Sequence, residues 1–409
     1  MPHDLEAELP TLSFDEFRAG FPALRSKTYL SICDKMILHD KVRAGVEQFL
    51  DHLAAASANR VDHELRVASS RELFARLMNV APETVAAVRN VSDGINTIAN
   101  AIGWNEGDNV VLAADAEHPN NIYPWLRLRQ RGIALRDVRP LSDGAIDVDA
   151  TIDAIDGRTR VVTVASATFA PGHRTDLRRL GETCRRRDVL LLVDGVQTAG
   201  ILHHDLAAEL VDAFATSTSK GLLGLYGYGF LYVAPHWIDR LSPAYLSRSS
   251  VAQRTDDHST MGSFDFEYQP DARRFEVGSF NLAGAYAADA SLRMLLALGS
   301  RSIENRVLGL AALLHEGLTE AGFPPAVPGS GPQQSHIVTL GSLDAGGHGF
   351  SSDPLVTPLS ERLAENGVVH TIRRGQLRFG LHAFNNKSDI GKTVDIVRDC
   401  LRDLRKAAE

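Results

Sequence analysis

The feature that most constrains this chain is a series of short, largely apolar runs without polar alternation: Val85 to Val88, Val110 to Ala113, Arg160 to Ala165 and Leu190 to Val193. Runs of this length read as strands buried on both faces, and the flanking segments, such as Asp62 to Met78 and Asp176 to Arg187, carry apolar residues at helical spacing. Strands that alternate with helices form an α/β structure around a parallel sheet, which presents its ligand contacts at the carboxyl ends of its strands. Leu190 to Val193 ends on Asp194. Val85 to Val88 leads into Asn90-Val-Ser92-Asp93-Gly94, where a strand gives way to a helix with free amides. That turn is either an ordinary Ser or Asp N-cap or an anion site.

Lys220 follows a second short strand candidate, Phe214 to Thr218, and sits among small hydroxyl residues. It is the only lysine between Lys41 and Lys387; the other strongly basic side chains of that interval are arginines. Arginine cannot replace lysine in imine chemistry, because its guanidinium stays protonated, whereas a desolvated amine shifts its pKa readily. An acid at 194 and an amine at 220, on adjacent strand ends, can meet over one ligand. The plain alternative is a solvated surface lysine.

At 409 residues the chain can bury a large core, and its 44% hydrophobic content is that of a globular protein. A formal net charge of −8 argues against a general nucleic-acid or anionic-membrane surface. Cys33, Cys184 and Cys400 are odd in number and match no zinc spacing, so a reducing cytoplasm is expected. The start, Met1-Pro-His-Asp-Leu-Glu, has no apolar leader segment, which also suggests a cytoplasmic protein. His203-His204-Asp205 invites a metal reading, but adjacent residues in an extended loop point opposite ways, and no metal is expected.

Asp194-Gly-Val-Gln197 followed by Ser217-Thr-Ser219-Lys220 resembles the signature of fold-type I pyridoxal-phosphate-dependent enzymes, in the class V aminotransferase and cysteine desulfurase group. The resemblance implies pyridoxal 5'-phosphate as cofactor, with Asp194 on the pyridine nitrogen, Gln197 on the ring hydroxyl and Lys220 in the Schiff base. A carboxylate there keeps the ring protonated and electron-withdrawing. Asn90 to Asn100 is similar to the family's phosphate loop, which implies Ser92 and Asp93 at the phosphate, Asp93 through its amide only. Glu117-His118-Pro-Asn-Asn121-Ile-Tyr-Pro124-Trp125 is similar to a motif whose His stacks on the ring, which implies His118 as a catalytic residue and Asn121 beside the substrate. Phe169 stands where desulfurases often place an Asn, so Thr168 is expected to supply the ring-hydroxyl contact; Ser217 and Ser219 join the cofactor set. Phe275-Glu-Val-Gly278-Ser279-Phe-Asn281 implies a homodimer in which Ser279 reaches the neighbouring site. Arg378-Phe-Gly-Leu-His382 implies Arg378 on the substrate carboxylate, with Arg373 and Arg374 as alternatives.

The resemblance implies fold type I, α/β: a mainly parallel, seven-stranded-type sheet between helices in a large domain, residues 36–284. Residues 1–35 and 285–409 are expected to form a smaller α+β domain, with strands at Val369 to Ile372 and Leu377 to Gly380. Leu241 to Asp271 reads as a polar loop. The expected reaction is α-proton abstraction by Lys220, followed by β-elimination of the C-S lyase type or by transamination. An epimerase, with His118 or Cys33 as the opposite-face proton donor, and a non-catalytic cofactor-binding scaffold are the alternatives. A persulfide-relay desulfurase is not expected, because Ser360 to Gln376 contains no cysteine. Cys33, Asp34 and Lys35, where the family mostly has small residues, suggest a specialised substrate.

Overall fold

The computed structural model describes residues 11–57, 59–252 and 265–408; the N-terminal hexapeptide and the middle of the polar loop lie outside them. The strands are β1 (Thr28–Tyr29), β2 (Val85–Val88), β3 (Asn109–Leu112), β4 (Ala134–Asp137), β5 (Thr159–Ala165), β6 (Leu190–Asp194), β7 (Ala213–Ser217), β8 (Gly229–Val233), β9 (Ile337–Leu340), β10 (Val368–Val369), β11 (Thr371–Arg373) and β12 (Gln376–Gly380). Seven of them form one sheet in the order β2-β8-β7-β6-β5-β3-β4. Pairing is parallel from β7 through β4, while β8 runs antiparallel to both β7 and β2. This is the mainly parallel α/β sheet of fold type I, with helices on its faces.

Full burial of β2, β3, β6, β7 and β8 explains their largely apolar composition, since both faces meet helices. On one face Phe74, from the helix Arg60–Leu77, stacks on Phe230 of β8 with ring centroids 4.4 Å apart and 10° between planes. On the helix Val91–Ala101, Gly94 lets the backbone lie against β7: a Cβ there would stand 2.8 Å from the Ala215 Cβ. In register, Asp194 faces Ala165 on one side and Ala215 on the other, and Ser217 faces Gly229. The ends of β5, β6 and β7 therefore form one edge.

A second sheet, β11-β12-β9, is antiparallel, and β1 pairs in parallel with β10. The N-terminal segment is thereby joined to the C-terminal part of the chain. Asn385 Nδ2 donates to Tyr29 O at 2.9 Å, and Arg18 makes a two-pronged ion pair with Asp389. One expectation needs correction. Val369 to Ile372 is not one strand: His370 interrupts it, and its halves join different sheets. β4 has no apolar run to announce it, because it is a largely exposed edge strand reading Ala-Leu-Arg-Asp. No described helix is long and apolar enough to cross a membrane.

Phe230→Ala should cost about 3–5 kcal/mol, since the stacked pair cannot collapse around the void. A fall in the urea midpoint at unchanged slope would show it; no shift would mean that the stack does not hold the sheet.

Candidate active site

At the edge formed by the ends of β5, β6 and β7 lies a cleft of about 470 Å³. Asp194, Gln197, Ser217, Ser219 and Lys220 line it from the large sheet, Arg373 and Arg378 from the small one, and Asn90, Ser92 and His118 from the segments that follow β2 and β3. The acid and the amine therefore line one cleft.

Asp194 is 4% exposed, and its Oδ1 accepts the Val196 amide at 3.0 Å. Burial pushes its carboxyl up to about 6, against the opposing pull of that amide and of the Lys220 charge. Gly195 is required next to it, because a Cβ would fall 1.8 Å from the Phe214 ring. Burial lowers the Lys220 pKa from the usual lysine range, and the Arg378 charge acts in the same direction. The backbone around Lys220 is pinned on both sides: Met36 N donates to Ser219 O at 2.9 Å, and His382 Nε2 donates to Gly221 O at 2.9 Å. Its amine has no hydrogen-bond partner among the described residues.

Gln197 Nε2 donates to Cys33 O at 3.2 Å, and its Oε1 is buried without a partner. A buried acceptor left open is costly unless a ligand donor fills it. A carboxylate, an open amide oxygen and a partnerless amine thus share one cleft, a donor set that fits a protonated hydroxypyridine carrying an aldehyde.

At the start of the helix Val91–Ala101, the Val91 amide donates to Ser217 Oγ at 2.9 Å and the Asp93 amide to Asn90 Oδ1 at 2.9 Å. Asn90 is thus the N-cap. The expected Asp93 amide contact is already used, its carboxylate pairs with Arg89, and it does not line the cleft. Ser92 does line it.

His118 accepts the Asn120 amide at Nδ1 and meets the Phe169 ring edge-on, 5.6 Å between centroids. Partial burial and the charges of Lys220, Arg373 and Arg378 lower its pKa, so the imidazole stays neutral. Asn121 is not at the cleft: it is fully buried, with Nδ2 on Glu117 and Oδ1 accepting from Thr163 and Trp125. Asn120 lines the cleft instead. Thr168 is fully buried and does not line the cleft; its hydroxyl accepts the amides of Gly172 and His173 at 3.0 Å each. Ser279 sits in a neighbouring groove with Gly278 and Asn281, not in this cleft.

Arg378 is 2% exposed, with Nη1 on Phe169 O at 2.6 Å and Nε on Thr371 Oγ1 at 3.1 Å, which leaves Nη2. Arg374 is tied to Asp344. His203 contacts Ser300, His204 contacts Thr198 and Glu209, and Asp205 accepts from Asn79, so the three have separate partners. Asp34, singled out in the sequence together with Cys33 and Lys35, lines the cleft; Tyr226 and His348 line it too, without an assigned role there from sequence.

Glu117 went without a role in the sequence reading. It is 3% exposed, and its oxygens accept from Ala165 N at 2.6 Å and Asn121 Nδ2 at 2.9 Å. Burial pushes its carboxyl up to about 8. The folded chain therefore holds this proton more tightly than the unfolded chain. The resulting stabilisation is full below the unfolded pKa near 4.5 and is lost as pH rises through about 8. Glu117→Gln should remove a fall of a few kcal/mol across that window, as denaturant titrations at stepped pH would show; parallel wild-type and variant profiles would contradict it.

A family model for aminotransferase class-V matches residues 39–349. A probable cysteine desulfurase of Methanothermobacter thermautotrophicus is 30% identical over 306 residues, 74% of this chain and 74% of that protein. The cysteine desulfurase CsdA of Escherichia coli is 28% identical over 417 residues, 95% of this chain and 98% of that one. The solved complex of the cystine C-S lyase C-DES with its reaction product cysteine persulfide has a TM-score of 0.81 at 22% identity, covering 93% of this chain and 99% of that one, which is a likeness of fold. The chain belongs to the class V aminotransferase family and is a pyridoxal-phosphate-dependent enzyme.

Proposed function

We propose that this enzyme removes the α-proton of an amino acid and eliminates a sulfur-bearing β-substituent, releasing it to solvent as a C-S lyase does. The observation that carries this reading is the lack of an accessible thiol to receive sulfur. Of the three cysteines, Cys184 and Cys400 lie in helices away from the cleft, and Cys33, which lines it, is 1% exposed.

When bound, pyridoxal phosphate supplies an aldehyde and a ring that draws electron density from the substrate α-carbon. Asp194 would hold the ring nitrogen, Gln197 Oε1 the ring hydroxyl, and Ser92 with the hydroxyls of Ser217 and Ser219 the phosphate side. His118, kept neutral, suits stacking against a cationic ring. Arg378 Nη2 is the remaining prong for the substrate carboxylate, and its two other bonds fix the guanidinium in place. The lowered pKa lets Lys220 take the α-proton at Nζ. A homodimer accompanies this reading, with Ser279 serving the neighbouring subunit's site. Its support is the groove around Ser279, where Tyr245 and Val277 are 66% and 48% exposed.

Lys220→Ala should lower turnover by at least about 100-fold, the scale of a lost general base. Keto acid, ammonia and a sulfur product should appear without any added keto acid; a strict need for a keto-acid acceptor would make the reaction transamination and sink the lyase reading. Arg378→Lys should raise KM roughly 10–100-fold with a smaller effect on kcat, since lysine keeps the charge and loses the planar fork. An unchanged KM would remove Arg378 from carboxylate binding.

A further inference from the structure

The Asp34–Arg373 pair has no part in the reaction proposed above, yet it lines the same cleft as Lys220 and Arg378. Arg373 Nη2 donates to Asp34 Oδ1 at 2.5 Å, and Nη1 donates to Ile372 O at 2.9 Å. The second Asp34 oxygen and Arg373 Nε have no partner among the described residues. The side chains are 31% and 15% exposed, so the pair is partly withdrawn from water but open to a ligand. Asp34 and Arg373 come from opposite ends of the chain. They meet because Ile32 N and Gly380 N each bond across between the N-terminal segment and β12, on Gly380 O and Leu30 O.

Charge balance decides what such a pair accepts. Arg378 is matched by the substrate's own carboxylate, and Arg373 is matched by Asp34. An apolar side chain laid against the pair would desolvate both charges and return no hydrogen bond. A lone anion would face Asp34, and a lone cation would face Arg373. A group carrying both charges satisfies both.

The geometry points to a second recognition site in this cleft, in which Asp34 takes an ammonium and Arg373 a carboxylate, so that the preferred substrate is an amino acid whose side chain ends in another α-amino-acid group. This rests on the lyase reading and specifies its substrate class. A cleft of about 470 Å³ falls within the range of sites that enclose ligands of this size.

The test is calorimetric titration of the cofactor-loaded enzyme with three uncleavable probes: 2,7-diaminooctanedioic acid, 2-aminooctanedioic acid and 2-aminooctanoic acid. The first should bind at least about tenfold tighter than either of the others, as expected for two charge-assisted contacts. In Arg373→Gln and in Asp34→Asn that ratio should fall towards one, and binding of 2-aminooctanoic acid reports that each variant is folded. Tightest binding of 2-aminooctanedioic acid would overturn the inference in favour of a simple acidic side chain. Tightest binding of 2-aminooctanoic acid would overturn it in favour of an apolar one. A preference that survives in both variants would remove the pair as its reader. These three outcomes leave the lyase reading intact, whereas failure of all three probes to bind, together with no keto-acid release from any amino acid, would end both.

Discussion

The structure turns on one carboxylate held out of water beside one amine. Asp194 and Lys220 lie at the ends of neighbouring strands, and in that setting each charge depends on the other. Burial opposes ionisation of both groups: it raises the acid and lowers the base. Such a pair is poor stabilising material, since desolvation consumes most of the Coulombic gain. It is good chemical material, because an amine whose pKa is lowered by burial gives up its proton more readily and can act as nucleophile and base.

Much of the fold serves to fix that pair. β5, β6 and β7 set the edge on which it stands, and Gly195 lets the chain turn past Phe214 directly after the acid. The lysine's own segment is clamped from two distant regions, by Met36 from the N-terminal side and by His382 from the C-terminal side. Arg378 reaches the cleft from the small sheet and is braced on Phe169 O, a backbone group at the rim of the large one. Arg378 and the lysine are thus brought to one cleft from two different sheets.

Carboxyl groups are layered behind the cleft wall as well as in it. Glu117 lies under β5, next to the strand that carries Asp194, and joins the His118 loop to the Ala165 amide. Its retained proton spares the site a second buried negative charge near Asp194. The Asp34–Arg373 pair at the other wall has the opposite character, partly exposed and open to the cleft, which suits recognition better than support.

The sequence by itself determined the α/β class and the positions of the central strands, because a strand buried on both faces must be largely apolar, and β6 and β8 show this plainly. It also put Asp194 and Lys220 on adjacent strand ends, since residues there are placed by the sheet, whereas Gln197 followed from the family resemblance. It did not show the exposed strand β4, whose polar residues follow solvent rather than a core, nor the break at His370, where pairing partners far along the chain divide one run between two sheets. Only the tertiary structure decided that Asp93, Asn121 and Thr168 turn their polar groups into capping and wall contacts, because hydrogen-bond partners are chosen by neighbours in space. The meeting of Asp34 with Arg373 was decided in the same way: it depends on the N-terminal strand pairing beside the last sheet, a contact that no local spacing encodes.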